Sequence, residues 1–309
     1  MQSIVDVGLK LVLFYAFIAF GYSFGRLYHD SQRVNRAAGS LIVNVLIPVL
    51  IVQTFLTSPI GVAEDFLLIV VVTVTIHLLS VAMVSAVMLS DTNPPATRGA
   101  FLLAGTFPNG VFLPLPVTLM FIGGVGVPVI VVFSIVQMTI LSTLGSTIGS
   151  LYGAEHVRWL QIVKKTLLFP PLLAVAFILP VLLIGARVPD ALVPALSSVG
   201  SITTYLALFS VGLALCSGLG TLRVRSTAKV LVIRQVLVPL AVALLLIVLT
   251  PTPVTRMVLL IEAMMPPAVI TVALSTSFGL DYEAAATAVI LGTVVFLPLV
   301  PLIPLIIGV

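Results

Sequence analysis

"TFPNGVFLPLP" (residues 106–116) sets Pro108, Pro114 and Pro116, together with Asn109 and Gly110, inside a run whose flanks are almost entirely apolar. Proline lacks a backbone N–H and clashes with the preceding helical turn, so regular helix cannot pass through this segment. A hydrocarbon layer roughly 30 Å thick requires about 20 apolar residues per helix, and Pro108 lies about ten residues into such a run, close to its middle. Each unsatisfied backbone group in lipid costs several kcal/mol unless protein or a watery cavity surrounds it. A break at that depth therefore implies a cavity or a close protein partner.

The rest of the chain supports the membrane setting. Of 309 residues, 60% are hydrophobic and 8% charged, with a mean hydropathy of +1.31, whereas soluble domains carry about one quarter charged residues. The composition predicts a polytopic membrane protein in contact with lipid and leaves no soluble domain over. Asp6 and Lys10 interrupt the first apolar stretch, so helix one is expected to be retained rather than cleaved, with this i, i+4 pair at its outer surface. Cys216 is the one cysteine, which excludes an internal disulfide and a cysteine metal cage. No metal, cofactor or nucleic-acid partner is expected, because the net charge of +4 sits in inter-helix loops as a topology signal.

Ten spans are predicted at about residues 4–26, 36–57, 66–89, 97–121, 126–152, 161–185, 191–217, 228–250, 254–278 and 283–307. The odd-numbered connections are read as holding Arg26, Arg33, Arg36, Arg98, Arg158, Lys164, Lys165, Arg223, Arg225, Lys229 and Arg234, the even-numbered ones only Arg187 and Arg256. Positive residues favour the cytoplasm, so both termini are expected outside, and Glu64 and Asp65 fit that side. "RWLQIVKK" (residues 158–165) reads as a basic helix start against anionic lipid.

An internal repeat links the two halves. At an offset of 158 residues, "PATRGAFLLAGTFP" (95–108) aligns with "PVTRMVLLIEAMMP" (253–266), so that Pro95, Thr97, Arg98 and Pro108 recur as Pro253, Thr255, Arg256 and Pro266. The fold class expected is an all-α membrane protein of two inverted five-helix repeats, residues 1–152 and 161–309, joined by a short cytoplasmic linker at 153–160, with helices 4 and 9 broken. The alternative, that Pro-x-Thr-Arg is merely a convenient helix start, stays open at this stage.

Matched interruptions in corresponding helices of inverted halves point to a transporter site at the repeat interface. The second half of each broken helix would aim its N-terminus at the cavity and favour an anion there, held by backbone dipoles and Asn109 rather than by a fixed cation. Plain kinks in packed helices are the alternative.

"FPNGVFLPLPVTLMFIGG" (107–124) resembles the broken fourth helix of the auxin efflux carrier family, "LIVNVLIPVLIVQTF" (41–55) its second, "LALFSVGLAL" (206–215) its seventh and "EAMMPPAVITVALSTSFGLDYEAAATAVILGT" (262–293) its ninth and tenth. The resemblance implies a ten-helix inverted-repeat fold, shared in outline with bile acid:sodium symporters, with external termini and crossing helices 4 and 9. It implies that Pro108, Asn109, Gly110, Pro266 and Pro267 form the crossover and meet the substrate, and that Gln137 stands where relatives often have Asn. It also implies a possible homodimer in the cell membrane. Pro114 departs from the family's usual Gly and Tyr205 from a frequent proline, and the long cytoplasmic loop of the plant carriers is missing.

Other polar residues fall at bilayer depth. Glu262 is one turn before Pro266 and has Ala104 as its repeat mate, so it is a candidate for coupling to H+ or Na+; a protonated acid capping freed backbone groups is the alternative. His77, at similar depth, could relay protons or pair with Glu262, or simply bridge helices. Asn44 and Gln137 could line the cavity or bridge helices. The function expected is secondary transport of a small organic anion, a carboxylate, with a passive anion channel as the alternative. An intramembrane enzyme is disfavoured: "STLGS" and "SVGS" do not make Gly-x-Ser-x-Gly, and no metal-binding His-Glu motif occurs.

Overall fold

The computed structural model describes residues 4–57, 62–153, 168, 170–183, 193–216 and 224–308. Most of the linker 153–160, the basic stretch 158–165, Arg187 and Arg223 lie outside these residues, as do the side chains of Asp6 and Glu64. Among the described residues the chain is all helical, and its one β-type pairing is an isolated bridge described below.

The first half runs through α1 (Ile4–Leu27), α2 (Ser31–Leu41), α3 (Ile47–Thr57), α4 (Val62–Leu89), α5 (Pro95–Thr106), α6 (Pro114–Phe121), α7 (Val127–Ile140) and α8 (Ser146–Tyr152). The second contains α9 (Pro170–Leu183), α10 (Val193–Leu215), α11 (Val224–Val232), α12 (Val238–Leu249), α13 (Pro253–Met264), α14 (Ile270–Ser277), α15 (Tyr282–Phe296) and α16 (Ile303–Ile307). π-helical turns at Ile42–Leu46, Leu141–Gly145 and Ile233–Leu237 join α2 to α3, α7 to α8 and α11 to α12 into longer rods. Such turns carry one extra residue, which rotates the side chains that follow and often marks a working site.

Seven helices among the described residues are long and apolar enough to cross a membrane. The predicted spans four and nine are not among them for a physical reason: each is divided into two helices, α5 with α6 and α13 with α14, each too short to cross alone. The first members begin 158 residues apart at Pro95 and Pro253, each is 12 residues long, and each starts from an extended residue, Pro94 (φ −54°, ψ 153°) or Thr252 (φ −54°, ψ 151°). The second members begin 156 residues apart, each with 8 residues. Each is followed by a glycine in the left-handed region, Gly123 (φ 90°) and Gly279 (φ 67°), a backbone state that glycine adopts without a Cβ clash. The first break is thus two residues longer than the second.

Two close packings organise the rest. Gly21 of α1 lies against the Phe209 backbone, and Gly212 of α10 against the Ile18 carbonyl, so that a Cβ on either would strike backbone. Small residues at this crossing let α1 and α10 approach closely, which is how apolar helices gain packing energy in lipid. On the other side, α4 packs on α5 and α7, and α13 on α4, α6, α7 and α12. Phe101, Phe107 and Phe133 fill the space between, all fully buried.

Candidate functional site

The interrupted segments lie against each other. Pro108 and Pro267 form an antiparallel bridge, in which the Asn109 N–H donates to the Pro266 carbonyl (2.8 Å) and the Ala268 N–H to the Phe107 carbonyl (2.9 Å). Backbone groups that proline released from the helical ladder are therefore satisfied by the opposite break, the condition for irregular backbone at this depth. Neighbours complete the repair. The Gln137 Nε2 donates to the Pro108 carbonyl (2.8 Å) and the Ser134 hydroxyl to the Gly110 carbonyl (2.9 Å), both from α7. Gly110 permits this approach, since a Cβ there would stand 2.9 Å from Gln137 Oε1. At the second break, Gly292 of α15 packs on Pro266 and Pro267, and the Gln235 Nε2 donates to its carbonyl (2.9 Å).

Asn109, 5% exposed, has a divided role. Its Oδ1 accepts from the Phe112 N–H (3.0 Å) and, at longer range, from the Val111 N–H (3.4 Å). That arrangement fixes the amide's orientation, because only the oxygen can accept from backbone N–H, and it turns Nδ2 away as a donor. This alters the expectation that free backbone N–H groups at the second half-helix hold an anion. Pro114 and Pro116 have no N–H, and the Leu115 and Val117 amides already donate to the Val111 and Leu113 carbonyls. The first turn of α6 keeps its dipole but offers few backbone donors, whereas the Asn109 amide nitrogen carries donor hydrogens beside the break.

A second correction concerns Arg234. It was assigned to a cytoplasmic connection, and no cation was expected near the middle of the spans, yet it is 0% exposed in the π-helical turn Ile233–Leu237 and lies against the second break. Its guanidinium donates to the carbonyls of Ala263 (2.7 Å), Met265 (3.2 Å) and Glu262 (3.4 Å) and to the Ser80 hydroxyl (3.0 Å). These carbonyls belong to the C-terminal end of α13, where the ladder has no further partners and the dipole is negative. A fixed cation there completes the helix end. The repeat frame held a signal: the offset of 158 sets Gln235 opposite His77, making the adjoining turn a second polar station.

Glu262 is also 0% exposed, within electrostatic reach of Arg234, and neither carboxyl oxygen meets a hydrogen-bond partner among the described residues. His77, 0% exposed, uses Nδ1 on the Thr73 carbonyl (2.7 Å) and packs its ring near Phe107 (5.4 Å) and Phe133 (6.0 Å). No hydrogen bond joins His77 to Glu262 among the described residues; Arg234 lies within electrostatic reach of both. Asn44 is exposed on the turn Ile42–Leu46, donating to the Ser40 hydroxyl (2.9 Å), and is not among the residues that meet the breaks. Lys10 turns inward, donating from Nζ to the Met120 carbonyl (2.9 Å) at the end of α6, rather than lying on the surface as its spacing from Asp6 suggested.

A search of curated proteins finds no match. The family model described as membrane transport protein matches residues 155–304, and this is the family that the sequence resembles through its auxin efflux carrier motifs; with the seven apolar helices, the match supports an integral multi-pass membrane protein whose second half is similar to membrane transport proteins.

Proposed function

We propose that the protein is a secondary transporter that carries a small organic anion, a carboxylate, across the cell membrane at the crossing of broken helices 4 and 9. In this reading the ten spans form two inverted repeats, with helices 1, 2, 6 and 7 as scaffold and helices 3–5 and 8–10 as the moving unit. Both termini face outward. The equal 12-residue and 8-residue half-helices at nearly constant offset support the repeat, as does the close glycine packing of α1 on α10 for a rigid scaffold. Relatives commonly pair, so a homodimer belongs to the proposal.

The observation that carries the reading is the Asn109 amide, with its oxygen committed to the chain and its nitrogen left as donor beside two paired helix breaks. A neutral donor suits a carrier: it orients a carboxylate without the tight hold that a buried, unpaired cation would impose, and so permits release. Glu262 is the candidate coupling site. Arg234 nearby opposes any added cation, but a proton needs a single carboxyl oxygen whereas a metal cation needs several oxygen ligands, which favours H+ over Na+.

Proteoliposomes loaded with the carboxylate that most stabilises the purified protein test this directly. Saturable uptake that is accelerated by the same anion on the opposite side is expected of a carrier. Ohmic current without such counterflow would assign a channel instead, and chemical conversion of the anion an enzyme.

A further inference from the structure

We infer that Lys10 heads a second, outer anion subsite, a vestibule in which a small carboxylate pauses before reaching the crossing. This rests on the carrier reading above. A cavity of about 340 Å³ opens between α1, α3, α6 and α10, within the range of small-ligand sites. Lys10 is the one charged side chain among the described residues that line it. Gln53, Ser201 and Thr204 add polar groups, while Phe14 and Leu208 contribute to an apolar wall. One positive charge in a partly apolar cavity between membrane helices favours an anionic guest, because charge interactions strengthen as water is excluded.

Lys10 is held in place for this role. Its Nζ donates to the Met120 carbonyl (2.9 Å), in the last turn of α6. An ammonium has three donors, so this bond orients the head while leaving it able to meet a carboxylate oxygen as well. The cavity also leads toward the crossing. Leu50 lines both it and a small apolar void of about 20 Å³ whose walls include Val111, Leu115 and Ser134. Ser134 in turn donates to the Gly110 carbonyl at the first break. One apolar layer thus separates the subsite from Asn109, and the second half of the broken helix spans both, with Asn109 before its start and Lys10 bound at its end.

The test is calorimetric titration of the whole protein in nanodiscs of zwitterionic lipid, using benzoate as the charged probe and benzamide as its neutral counterpart. Benzoate is expected to bind saturably and benzamide not. Lys10→Gln is expected to weaken benzoate about ten-fold, and Lys10→Arg to restore it to within about two-fold. Ser201→Trp, at an exposed position on the α10 wall, fills the cavity while leaving the Lys10 side chain in the sequence and is expected to abolish this binding. In an Asn109→Asp background the Lys10-dependent binding is expected to persist. Wild-type binding of benzamide as tight as benzoate, no benzoate binding at all, or unchanged binding in Lys10→Gln or Ser201→Trp would each overturn the subsite. Failure is separable from that of the carrier reading: Lys10-dependent binding without saturable uptake leaves the vestibule standing, whereas saturable uptake with Lys10-independent binding removes the vestibule alone.

Discussion

Arg234 donates to the Ala263 carbonyl at 2.7 Å from a fully buried position, so a permanent positive charge closes the end of the first half of the second broken helix. The same end carries Glu262, whose carboxyl oxygens meet no donor among the described residues, although Arg234 is within electrostatic reach. Charge, helix terminus and acid form one unit, and removing any part exposes the others.

Arg234→Met is accordingly expected to cost about 3–5 kcal/mol, the penalty for leaving three carbonyls without their donor and a buried acid without the nearby positive charge. Combining it with Glu262→Gln should recover part of that loss, because the acid no longer faces an apolar surround alone. Melting temperatures of the single and double variants in detergent measure the coupling. Purely additive losses would separate the two residues.

Uptake in proteoliposomes is expected to be the same with sodium or potassium as the external cation, since Arg234 already supplies positive charge beside Glu262. Imposing a proton gradient should alter the wild-type rate and leave Glu262→Gln unaffected. A sodium requirement, or an equal pH response in both proteins, would remove Glu262 from proton coupling.

Asp91 lies outside the spans, between α4 and α5. Burial raises its pKa, but hydrogen bonds from the Asn93 N–H (2.9 Å), the Ser226 hydroxyl (2.9 Å) and the Asn93 amide, with Lys229 at 3.8 Å, outweigh burial and hold the carboxyl below its usual range. A depressed carboxylate contributes stability that is complete above its unfolded pKa of about 3.9 and is lost as pH falls through the folded value. Asp91→Asn should therefore melt lower than wild type at neutral pH, by about 1–2 kcal/mol, and the difference should shrink below about pH 4. A difference independent of pH would contradict this.

Gly212→Leu is expected to separate α1 from α10, because its side chain would enter the Ile18 backbone. A loss of about 1–3 kcal/mol follows from overpacking, and the same change at exposed Gly8, which has open space around it, should be tolerated. Thermal unfolding of both variants provides the comparison.

The breaks were legible in sequence because proline and asparagine at the middle of an apolar run have few explanations in lipid, and because the same pattern recurs 158 residues later. Their meeting was expected, but its register was not: Pro108 pairs with Pro267, not with its repeat mate Pro266. Arg234 was hidden by averaging, because a long apolar window absorbs a single charge, and charge counting assigns arginines to loops. Lys10 shows the same limit at shorter range. Its i, i+4 spacing from Asp6 is compatible with a surface pair, and only tertiary packing of α1 on α6 decides that the ammonium turns inward. Asn109 was expected to meet the substrate, but which of its two amide atoms remains available depends on the Phe112 N–H, a detail of local backbone that residue type does not encode.

Asn109→Asp isolates the anion site from the fold. The substituted carboxylate still accepts from the Phe112 N–H, so the cap on the broken helix survives, but the Nδ2 donor becomes a negatively charged oxygen. Uptake of the best-stabilising carboxylate by this variant in proteoliposomes is expected to fall at least about a hundred-fold, with the melting temperature close to wild type. Uptake at the wild-type rate in a stably folded Asn109→Asp protein would contradict anion binding at the crossing.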